Sequence, residues 1–350
     1  MKIIHVIGSL ATGGAEKLAV GLCVEGIRQG HDCSIVTLNP AEGIPFRTGK
    51  REGISVTCLA RSRWDPRIFW RLRDATAGAD VVHTHLFPAL YWSALLSKTK
   101  VFTEHDTSNR RRGNAFFWPF EKKMYSSFNA VVAISHGVAS SLRQHLARVG
   151  ANSDVSVVLN GVEGHFFTSE TREKRPVGDI LWIGSLWKKK DPILAVQAMS
   201  LLPSMKLDMV GTGPLWSTVE DEIQRLGLQG RVRLVGEVDN VFQVILSHEL
   251  LLSTSAIEGF GLVALEAQAS GIPVVGPAIP GFNEVVLDGT SGLLFADRSP
   301  ATVARLIRAA SEPQQYKRLS AGAVNHAKHF SIAKMFSSYL LLYESLRAKL

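Results

Sequence analysis

The chain has 350 residues, of which 46% are apolar and 20% charged. This composition excludes an intrinsically disordered protein, and the length suits two domains of ordinary size. No uninterrupted apolar stretch reaches the roughly 18 residues of a membrane-spanning helix, and the first apolar run breaks too early for a signal peptide. A cytoplasmic location is therefore expected. The net charge of +8 lies mostly in residues 1–165, with 20 Lys and Arg against 13 Asp and Glu, so this half should meet an anionic partner.

In chain order, the first half alternates strands with helices. A β-branched run at residues 2–7 precedes a glycine-containing loop and a helical pattern over residues 15–29. Further strands are predicted at residues 31–38, 79–85, 100–105 and 130–135. This alternation indicates a parallel sheet with helices on both faces.

The same pattern restarts in the second half. Five strands are predicted at residues 179–184, 206–211, 231–236, 249–253 and 273–276, each ending in or near Gly or Ser. Such endings are typical of loops at the carboxyl edge of a doubly wound sheet. The polar residues 165–176 are predicted as the linker, which gives an α/β fold with domains at residues 1–165 and 166–330. Residues 331–350 form a helical pattern, compatible with packing on the second domain or with crossing back to the first.

The most informative segment is residues 258–266, where two glutamates flank a Gly-x-Gly turn that opens a helix. Glycines let the backbone approach a ligand closely, and a helix N-terminus offers free N–H groups to phosphate. The two carboxylates can accept hydrogen bonds from sugar hydroxyls. Together these groups have the chemistry needed to bind a nucleotide sugar.

With this segment placed, the chain resembles the retaining glycosyltransferases of family four, which have the GT-B fold. The resemblance covers nearly the whole chain and is carried by motifs in family order, at residues 13–16, 83–85, 103–105, 160–162, 184–190, 210–214, 236–238, 258–266 and 280–284. It implies two Rossmann-like domains that face each other across a cleft. It also implies a nucleotide-diphosphate sugar donor, held mainly by the second domain.

The resemblance assigns the donor contacts of the glutamate segment residue by residue. Glu258 would contact hydroxyls of the transferred sugar, and Glu266 would contact the ribose. Backbone groups at Gly261, Leu262 and Val263 would meet the diphosphate. An ordinary exposed helix start, with Glu258 complementing the helix dipole, is the alternative interpretation.

Lys190 ends a run of three lysines and matches the family's phosphate-binding lysine. A fixed ammonium can stabilise a leaving diphosphate without a metal. The family often has Arg just after the glycine, where this chain has Ser185. Lys188 or Lys189 are candidates to supply the missing charge.

The remaining site residues follow from the same resemblance. His105 matches an active-site histidine that contacts the transferred sugar, and Gly14 lies in a loop that approaches the donor phosphate or the acceptor. Gly211 and Gly213 fit a loop that lines the nucleotide site, and Val238 matches a position near the base.

No metal or other cofactor is expected. His83 and His85 point to the same side of one strand, but no nearby carboxylate or third ligand is evident, so the metal interpretation is disfavoured. The chain also has no Asp-x-Asp triplet, with which many glycosyltransferases of the other common fold hold a divalent ion.

Two basic and aromatic stretches, at residues 61–73 and 110–125, combine Arg or Lys with Trp and Phe. This combination suits the surface of an anionic membrane, although helices that bury their aromatic residues are an alternative. Nucleic acid is not expected as a partner, because no recognised nucleic-acid motif accompanies the stretches. A peripheral position on the inner face of the cytoplasmic membrane fits this interpretation.

The sequence thus predicts a retaining glycosyltransferase that moves a hexose to a glycan or lipid-linked glycan in cell-surface polysaccharide synthesis. Two alternatives remain open. One is an epimerase or phosphorylase of similar architecture, and the other is a nonenzymatic sugar- or lipid-binding protein.

Overall fold

The structure is a computed structural model that describes residues 1–40, 42–107, 111–168 and 179–348. It forms two compact units, Met1–Gly161 with Ile332–Leu350, and Val162–Ser331. Most of the predicted linker, residues 169–176, lies outside the described residues.

The first unit is built on a parallel sheet of seven strands. The strands are β1 (Lys2–Ile7), β2 (Asp32–Thr37), β3 (Val56–Cys58), β4 (Val81–His85), β5 (Lys100–Glu104), β6 (Ala130–Ala133) and β7 (Val155–Val157), in the order β3-β2-β1-β4-β5-β6-β7. The helices between them are α1 (Gly14–Arg28), α2 (Ile44–Arg51), α3 (Ile68–Ala75), α4 (Ala89–Ala94), α5 (Trp118–Tyr125) and α6 (His136–Val149). β4 and β5 are buried along their whole length, as expected for central strands with helices on both faces.

The second unit repeats this architecture with six parallel strands. They are β8 (Asp179–Ile183), β9 (Lys206–Val210), β10 (Val232–Gly236), β11 (Leu250–Leu252), β12 (Val274–Pro277) and β13 (Gly292–Phe295), in the order β10-β9-β8-β11-β12-β13. The helices are α7 (Pro192–Ser200), α8 (Trp216–Arg225), α9 (Val241–Leu246), α10 (Leu262–Ala269), α11 (Phe282–Val285), α12 (Pro300–Ser311) and α13 (Pro313–Ala327). Apolar side chains from the sheet and from α7 and α12 form its core. The predicted fold class, two Rossmann-like doubly wound domains, is confirmed.

Each sheet has a point at which the strand order reverses, between β1 and β4 in the first unit and between β8 and β11 in the second. Loops that leave the carboxyl ends of the two strands at such a point diverge and leave a crevice, where open α/β sheets commonly bind ligands. The loops after β8 and β11 contain Lys190 and Glu258, so the topology brings these two predicted residues together.

The division between the units falls slightly before the predicted boundary after residue 165. The backbone N–H of Val162 donates to the carbonyl of Phe330 at 2.8 Å, and Val162 forms a parallel bridge with Ser331. These contacts attach residues 162–165 to the second unit.

The last helix, α14 (Ile332–Arg347), belongs to the first unit. The ring centroid of Phe336 lies 5.6 Å from that of His31. The hydroxyl of Tyr339 is hydrogen-bonded to Thr103 at 2.9 Å. The sequence was compatible with packing of this helix on either domain. In the structure, α14 packs on the first domain. Among the described residues, no helix is long and apolar enough to cross a membrane.

Candidate active site

Lys190 and Glu258 form a direct ion pair in the second unit. The ammonium of Lys190 donates to Oε2 of Glu258 at 2.5 Å, and the hydroxyl of Ser255 donates to the same oxygen at 3.0 Å. Both side chains of the ion pair are partly buried, whereas Lys188 and Lys189 are exposed. The structure therefore distinguishes Lys190 from the other two lysines of the run.

The backbone around this pair is fixed by polar contacts that are buried or partly buried. The hydroxyl of Thr254 donates to the carbonyls of Lys190 at 3.0 Å and Asp191 at 2.8 Å, and it accepts from the indole N–H of Trp182 at 3.0 Å. Arg298 donates to the carboxylate of Asp191 at 2.7 Å and to the carbonyl of Thr254 at 2.7 Å. Because the contacts join the loop after β8 to the loop after β11, they hold Lys190 and Glu258 in register.

The helix α10 begins in the same region without a side-chain cap. Gly261 precedes it with φ +96°, and an added Cβ would lie 2.9 Å from the ring of Phe282, so this position requires glycine. Leu262 and Val263 begin the first turn, where helical N–H groups have no partner within the helix, and both are partly exposed. Glu266 lies one turn further and is 2% exposed. This helix start is chemically suited to an anion, and Glu266 is an interior carboxylate beside it.

Gly211 and Gly213 lie in the loop after β9, which packs backbone to backbone against the loop after β8. The N–H of Leu186 donates to the carbonyl of Thr212 at 2.9 Å. Gly211 has φ +127°, and an added Cβ would lie 2.1 Å from the carbonyl oxygen of Gly184. Close packing of the two loops is therefore a sufficient physical reason for glycine at position 211.

Val238 follows β10 in the next loop along the same edge and is half-buried. Its neighbour Glu237 accepts a hydrogen bond from the hydroxyl of Thr212 at 3.4 Å. The structure thus brings nine predicted site residues to the carboxyl edge of the second sheet, namely Lys190, Gly211, Gly213, Val238, Glu258, Gly261, Leu262, Val263 and Glu266.

The other two predicted site residues, Gly14 and His105, lie in the first unit. Gly14 is the exposed first residue of α1, and an added Cβ would meet no atom within 4 Å. Nothing steric requires glycine there, so its small size leaves open space at the helix start. His105 directly follows β5, and its Nε2 is hydrogen-bonded to Nδ1 of His85 at 3.2 Å. Burial lowers the pKa of His105 to about 4, so its imidazole is neutral at pH 7.

His83 and His85 have a third histidine beside them, His5 on β1, which the sequence interpretation did not place there. One ring nitrogen of each lies within 4.8 Å of the others, a donor set of the kind that binds Zn²⁺. Both nitrogens of His83 are hydrogen-bonded, to Tyr343 at 2.6 Å and to Thr103 at 2.7 Å. Both nitrogens of His85 are also hydrogen-bonded, to His5 at 3.1 Å and to His105 at 3.2 Å, whereas Nε2 of His5 has no partner among the described residues. A cation would have to displace bonds of His83 and His85 in a fully buried site without a counter-charge from the three side chains.

A cavity of about 460 Å³ opens in the first unit, at the carboxyl ends of β1 and β4. Polar and basic groups line much of it, including Glu16, Arg61 and Arg63. The exposed ring of Trp64 forms one side and lies 5.6 Å from the ring of Phe87. Burial raises the pKa of the Glu16 carboxyl. An aromatic face beside charged groups suits a sugar that carries an anionic substituent.

The stretch at residues 110–125, interpreted from the sequence as a candidate membrane surface, has some of its charges in buried ion pairs. Arg111 forms an ion pair with the buried Glu121 at 2.7 Å, and Arg112 forms one with the buried Glu104 at 2.6 Å. These arginines compensate buried carboxylates and are not available to a membrane; Arg110 lies outside the described residues. Phe116 and Phe120 are the exposed aromatic residues of the stretch, with 71% and 55% of each residue accessible.

Two contributors to the second-unit site, Ser255 and Arg298, were not predicted. Ser255 lies three residues before Glu258, and its hydroxyl is one of many in the sequence. Arg298 follows β13, a strand that the sequence interpretation missed. Had β13 been recognised, the parallel topology would have placed Arg298 at the same sheet edge as Lys190.

Comparison with known proteins agrees with this architecture. The family model described as "Glycosyltransferase Family 4" matches residues 12–164, and the model described as "Glycosyl transferases group 1" matches residues 165–326. The chain is 28% identical over 228 residues to N-acetyl-alpha-D-glucosaminyl L-malate synthase of Bacillus anthracis, covering 61% of this chain and 59% of that protein. It is 34% identical over 213 residues to D-inositol 3-phosphate glycosyltransferase of Acidothermus cellulolyticus, covering 54% of this chain and 47% of that protein.

The fold is similar to that of the Anabaena protein HepE, solved in complex with UDP and glucose. The TM-score is 0.85 at 19% identity, over 99% of this chain and 100% of HepE. The chain spans between about half and three fifths of the length of the two relatives named above. Since the two family models together match residues 12–326, the chain belongs to glycosyltransferase family 4, a family of transferase enzymes with the GT-B fold.

Proposed function

We propose that this protein transfers a hexose from a nucleotide-diphosphate sugar to a hydroxyl group of a glycan or lipid-linked glycan, with retention of anomeric configuration. The observation that carries the proposal is the Lys190–Glu258 ion pair next to the uncapped start of α10. This arrangement combines a cation, free helical N–H groups and a carboxylate, which complement a diphosphate joined to a hydroxylated sugar. HepE was solved with UDP and glucose, so a UDP-hexose is the first donor to test.

In the proposed donor complex, the N–H groups at Leu262 and Val263 bind the diphosphate, and Lys190 neutralises the charge that grows on it as the glycosidic bond breaks. Glu258 accepts hydrogen bonds from the sugar, and Glu266 accepts them from the ribose. Gly211, Gly213 and Val238 border the nucleotide.

The transfer exchanges one bond at the anomeric carbon for another. The bond from that carbon to the diphosphate oxygen breaks, and a bond to the acceptor oxygen forms on the same face. The acceptor proton passes to the leaving diphosphate, so the products are a glycoside and a nucleoside diphosphate. The protein supplies orientation and charge stabilisation, and no metal ion is part of the proposal. Gly14 and His105 are proposed to approach the donor from the first unit, His105 at the transferred sugar.

The cavity beside Trp64 is the proposed acceptor site. Arg61 and Arg63 have no ion-pair partner in the described part of the chain, so an acceptor with a phosphate or carboxylate group matches their charge. The two relatives are named for malate and inositol 3-phosphate, both anionic. This supports, by analogy only, an anionic acceptor here.

A peripheral position on the inner face of the cytoplasmic membrane is proposed as well, in the context of cell-surface polysaccharide synthesis. Phe116 and Phe120 are more than half exposed, and Lys122 and Lys123 beside them are exposed. Aromatic rings beside ammonium groups suit an anionic lipid interface. Replacing both phenylalanines with serine should weaken binding to vesicles that contain anionic lipid. The double variant Arg305→Ser with Arg308→Ser, in the second unit, should not.

The donor assignment is tested by incubating the protein with a panel of UDP-hexoses and GDP-hexoses. We expect one donor to raise the melting temperature. With an anionic sugar acceptor, the same donor should release nucleoside diphosphate and form a glycoside of retained configuration, read by NMR. Formation of an isomeric nucleotide sugar without acceptor would favour the epimerase alternative. Formation of a sugar phosphate from a glycoside and phosphate would favour the phosphorylase. Binding without turnover would favour the nonenzymatic protein.

A further inference from the structure

Three buried histidines of the first unit are joined end to end by hydrogen bonds. Nδ1 of His5 lies 3.1 Å from Nε2 of His85, and Nδ1 of His85 lies 3.2 Å from Nε2 of His105. His5 and His85 are fully buried, and His105 is 8% exposed. We call these three residues the histidine chain. It runs from β1 across the end of β4 to the residue that follows β5.

The hydrogen bonds of the histidine chain limit which ring nitrogens can carry the protons. Burial lowers the pKa of His5 and His105 to about 4 and that of His85 well below its usual value, so all three rings are neutral at pH 7. A neutral imidazole has one N–H donor and one bare acceptor nitrogen. Each hydrogen bond needs one of each. Only two arrangements therefore satisfy both bonds: every proton is on Nδ1, or every proton is on Nε2.

The buried end of the chain distinguishes the two arrangements. Nε2 of His5 is buried and has no hydrogen-bond partner among the described residues. With all protons on Nε2, this atom would be an orphaned N–H group. With all protons on Nδ1, it is an unused acceptor. Among buried backbone groups, orphaned N–H donors are rarer than under-satisfied carbonyl acceptors. The same ordering, applied to the imidazole of His5, favours the Nδ1 arrangement.

His83 does not enter this chain, although its ring centroid lies 4.1 Å from that of His85. Its Nδ1 is bonded to the hydroxyl of Tyr343 at 2.6 Å and its Nε2 to the hydroxyl of Thr103 at 2.7 Å. Both nitrogens are thus used in a separate network that reaches α14. The tautomer of His105 depends on His85 and, through it, on His5.

We propose that His5 and His85 are positioning residues that hold His105 in the Nδ1–H tautomer, so that its remaining nitrogen is a hydrogen-bond donor. This inference rests on the proposed function, in which His105 contacts the transferred sugar. Nδ1 of His105 has no hydrogen-bond partner within the described ranges, and an N–H there can donate to a hydroxyl oxygen of a hexose. At the other end of the histidine chain, Nε2 of His5 has no hydrogen-bond partner among the described residues. The histidine chain therefore fixes a tautomer and does not conduct a proton through the domain.

The direct test is NMR of the full-length protein labelled with ¹⁵N-histidine, without ligand, because the two tautomers give different nitrogen shifts and couplings. Resonances are assigned by single substitution of each histidine in the chain. In the wild type, His105 should be neutral and protonated on Nδ1 at pH 7. Protonation on Nε2, or an even mixture of tautomers, in the wild-type protein would overturn the proposal.

Substitutions at His5, which does not bond to His105, separate tautomer control from packing. His5→Phe keeps the ring volume but removes the donor to His85, so His105 should become a mixture of tautomers. In His5→Asn, an amide donor replaces Nδ1 and should restore the single tautomer. An unchanged His105 spectrum in the folded His5→Phe protein would contradict the proposal.

The kinetic consequence separates this proposal from the proposed function. His5→Phe should lower kcat about tenfold, the loss expected for one weakened hydrogen bond, with the donor KM little changed, and His5→Asn should recover most of the activity. If the NMR results hold but His5→Phe and His105→Phe both transfer sugar at the wild-type rate, the tautomer control stands and the role of His105 in transfer is wrong.

Discussion

The buried histidines of the first unit predict that this unit loses stability selectively in mild acid. His5 and His105 each have a pKa lowered by burial from 6.5 to about 4. As the pH falls below 6.5, the unfolded chain takes up protons that the folded unit does not. The contribution of these two neutral histidines to the free energy of unfolding is therefore fully present above about pH 6.5. It is lost progressively as the pH falls towards about 4.

The magnitude follows from the size of the shift. A shift of one pKa unit corresponds to about 1.4 kcal/mol, so each of these histidines should reduce the free energy of unfolding by about 3 kcal/mol across that interval. Native proteins are stable by about 5 to 15 kcal/mol. The loss from the two histidines is thus a substantial fraction of the stability of the first unit.

The assay is urea-induced unfolding read by pulsed hydrogen exchange and mass spectrometry, which reports each unit separately. Peptides from β1 and β4 should unfold at much lower urea at about pH 4.5 than at pH 7. Peptides from β8 and β11, in a sheet whose strands contain no histidine, serve as the internal control. His5→Phe should reduce the pH dependence of the first unit, whereas replacement of the exposed His329 by Gln should not. Equal losses in both units, or no effect of His5→Phe, would show that the buried histidines do not cause the acid sensitivity.

Three further predictions concern the second unit. Arg298→Leu removes hydrogen bonds to Asp191 and to the loop after β11, so the affinity for the donor should fall about tenfold. Arg305→Leu is the control and should leave donor affinity unchanged. Equal donor affinities of the two variants in calorimetry would contradict the role of Arg298. Gly211→Ala should lower the melting temperature because the added Cβ would collide with backbone atoms. Gly230→Ala should have a much smaller effect, because no atom lies within 4 Å of the Cβ that it adds. Similar melting curves of the two variants would show that close packing does not require glycine at position 211. Removal of divalent ions with EDTA should leave the transfer rate unchanged, and a rate restored only by added metal would show that the site needs an ion.

Most of the fold could be predicted from the sequence because the central strands are largely apolar runs that alternate with helical patterns. The missed strands β3, β7 and β13 have three or four residues and lie at sheet edges. Too few residues alternate or repeat there to give a pattern. The position of α14 could not be predicted either, because its apolar face fits any apolar surface. In the structure, the hydroxyls of Tyr339 and Tyr343 fix it to β4 and β5.

The candidate site was predictable to the extent that it depends on local motifs. The segment from Glu258 to Glu266 and the position of Lys190 could be recognised, because helix starts and charged turns depend on neighbouring residues. Arg298 and the histidine chain could not, because their partners are distant in sequence and meet only through the order of the strands. The same limit explains why the arginines at positions 111 and 112 were interpreted as surface charges when they compensate buried carboxylates.

In the proposed reaction, Lys190 stabilises the leaving diphosphate during sugar transfer. The most direct test is the single-turnover rate of Lys190→Ala with a bound nucleotide-diphosphate hexose, compared with Lys189→Ala, its exposed neighbour in the same loop. Lys190→Ala should slow transfer at least about a hundredfold, and Lys189→Ala should retain nearly the wild-type rate. Equal rates in the two variants, with donor bound to both, would contradict this role of Lys190.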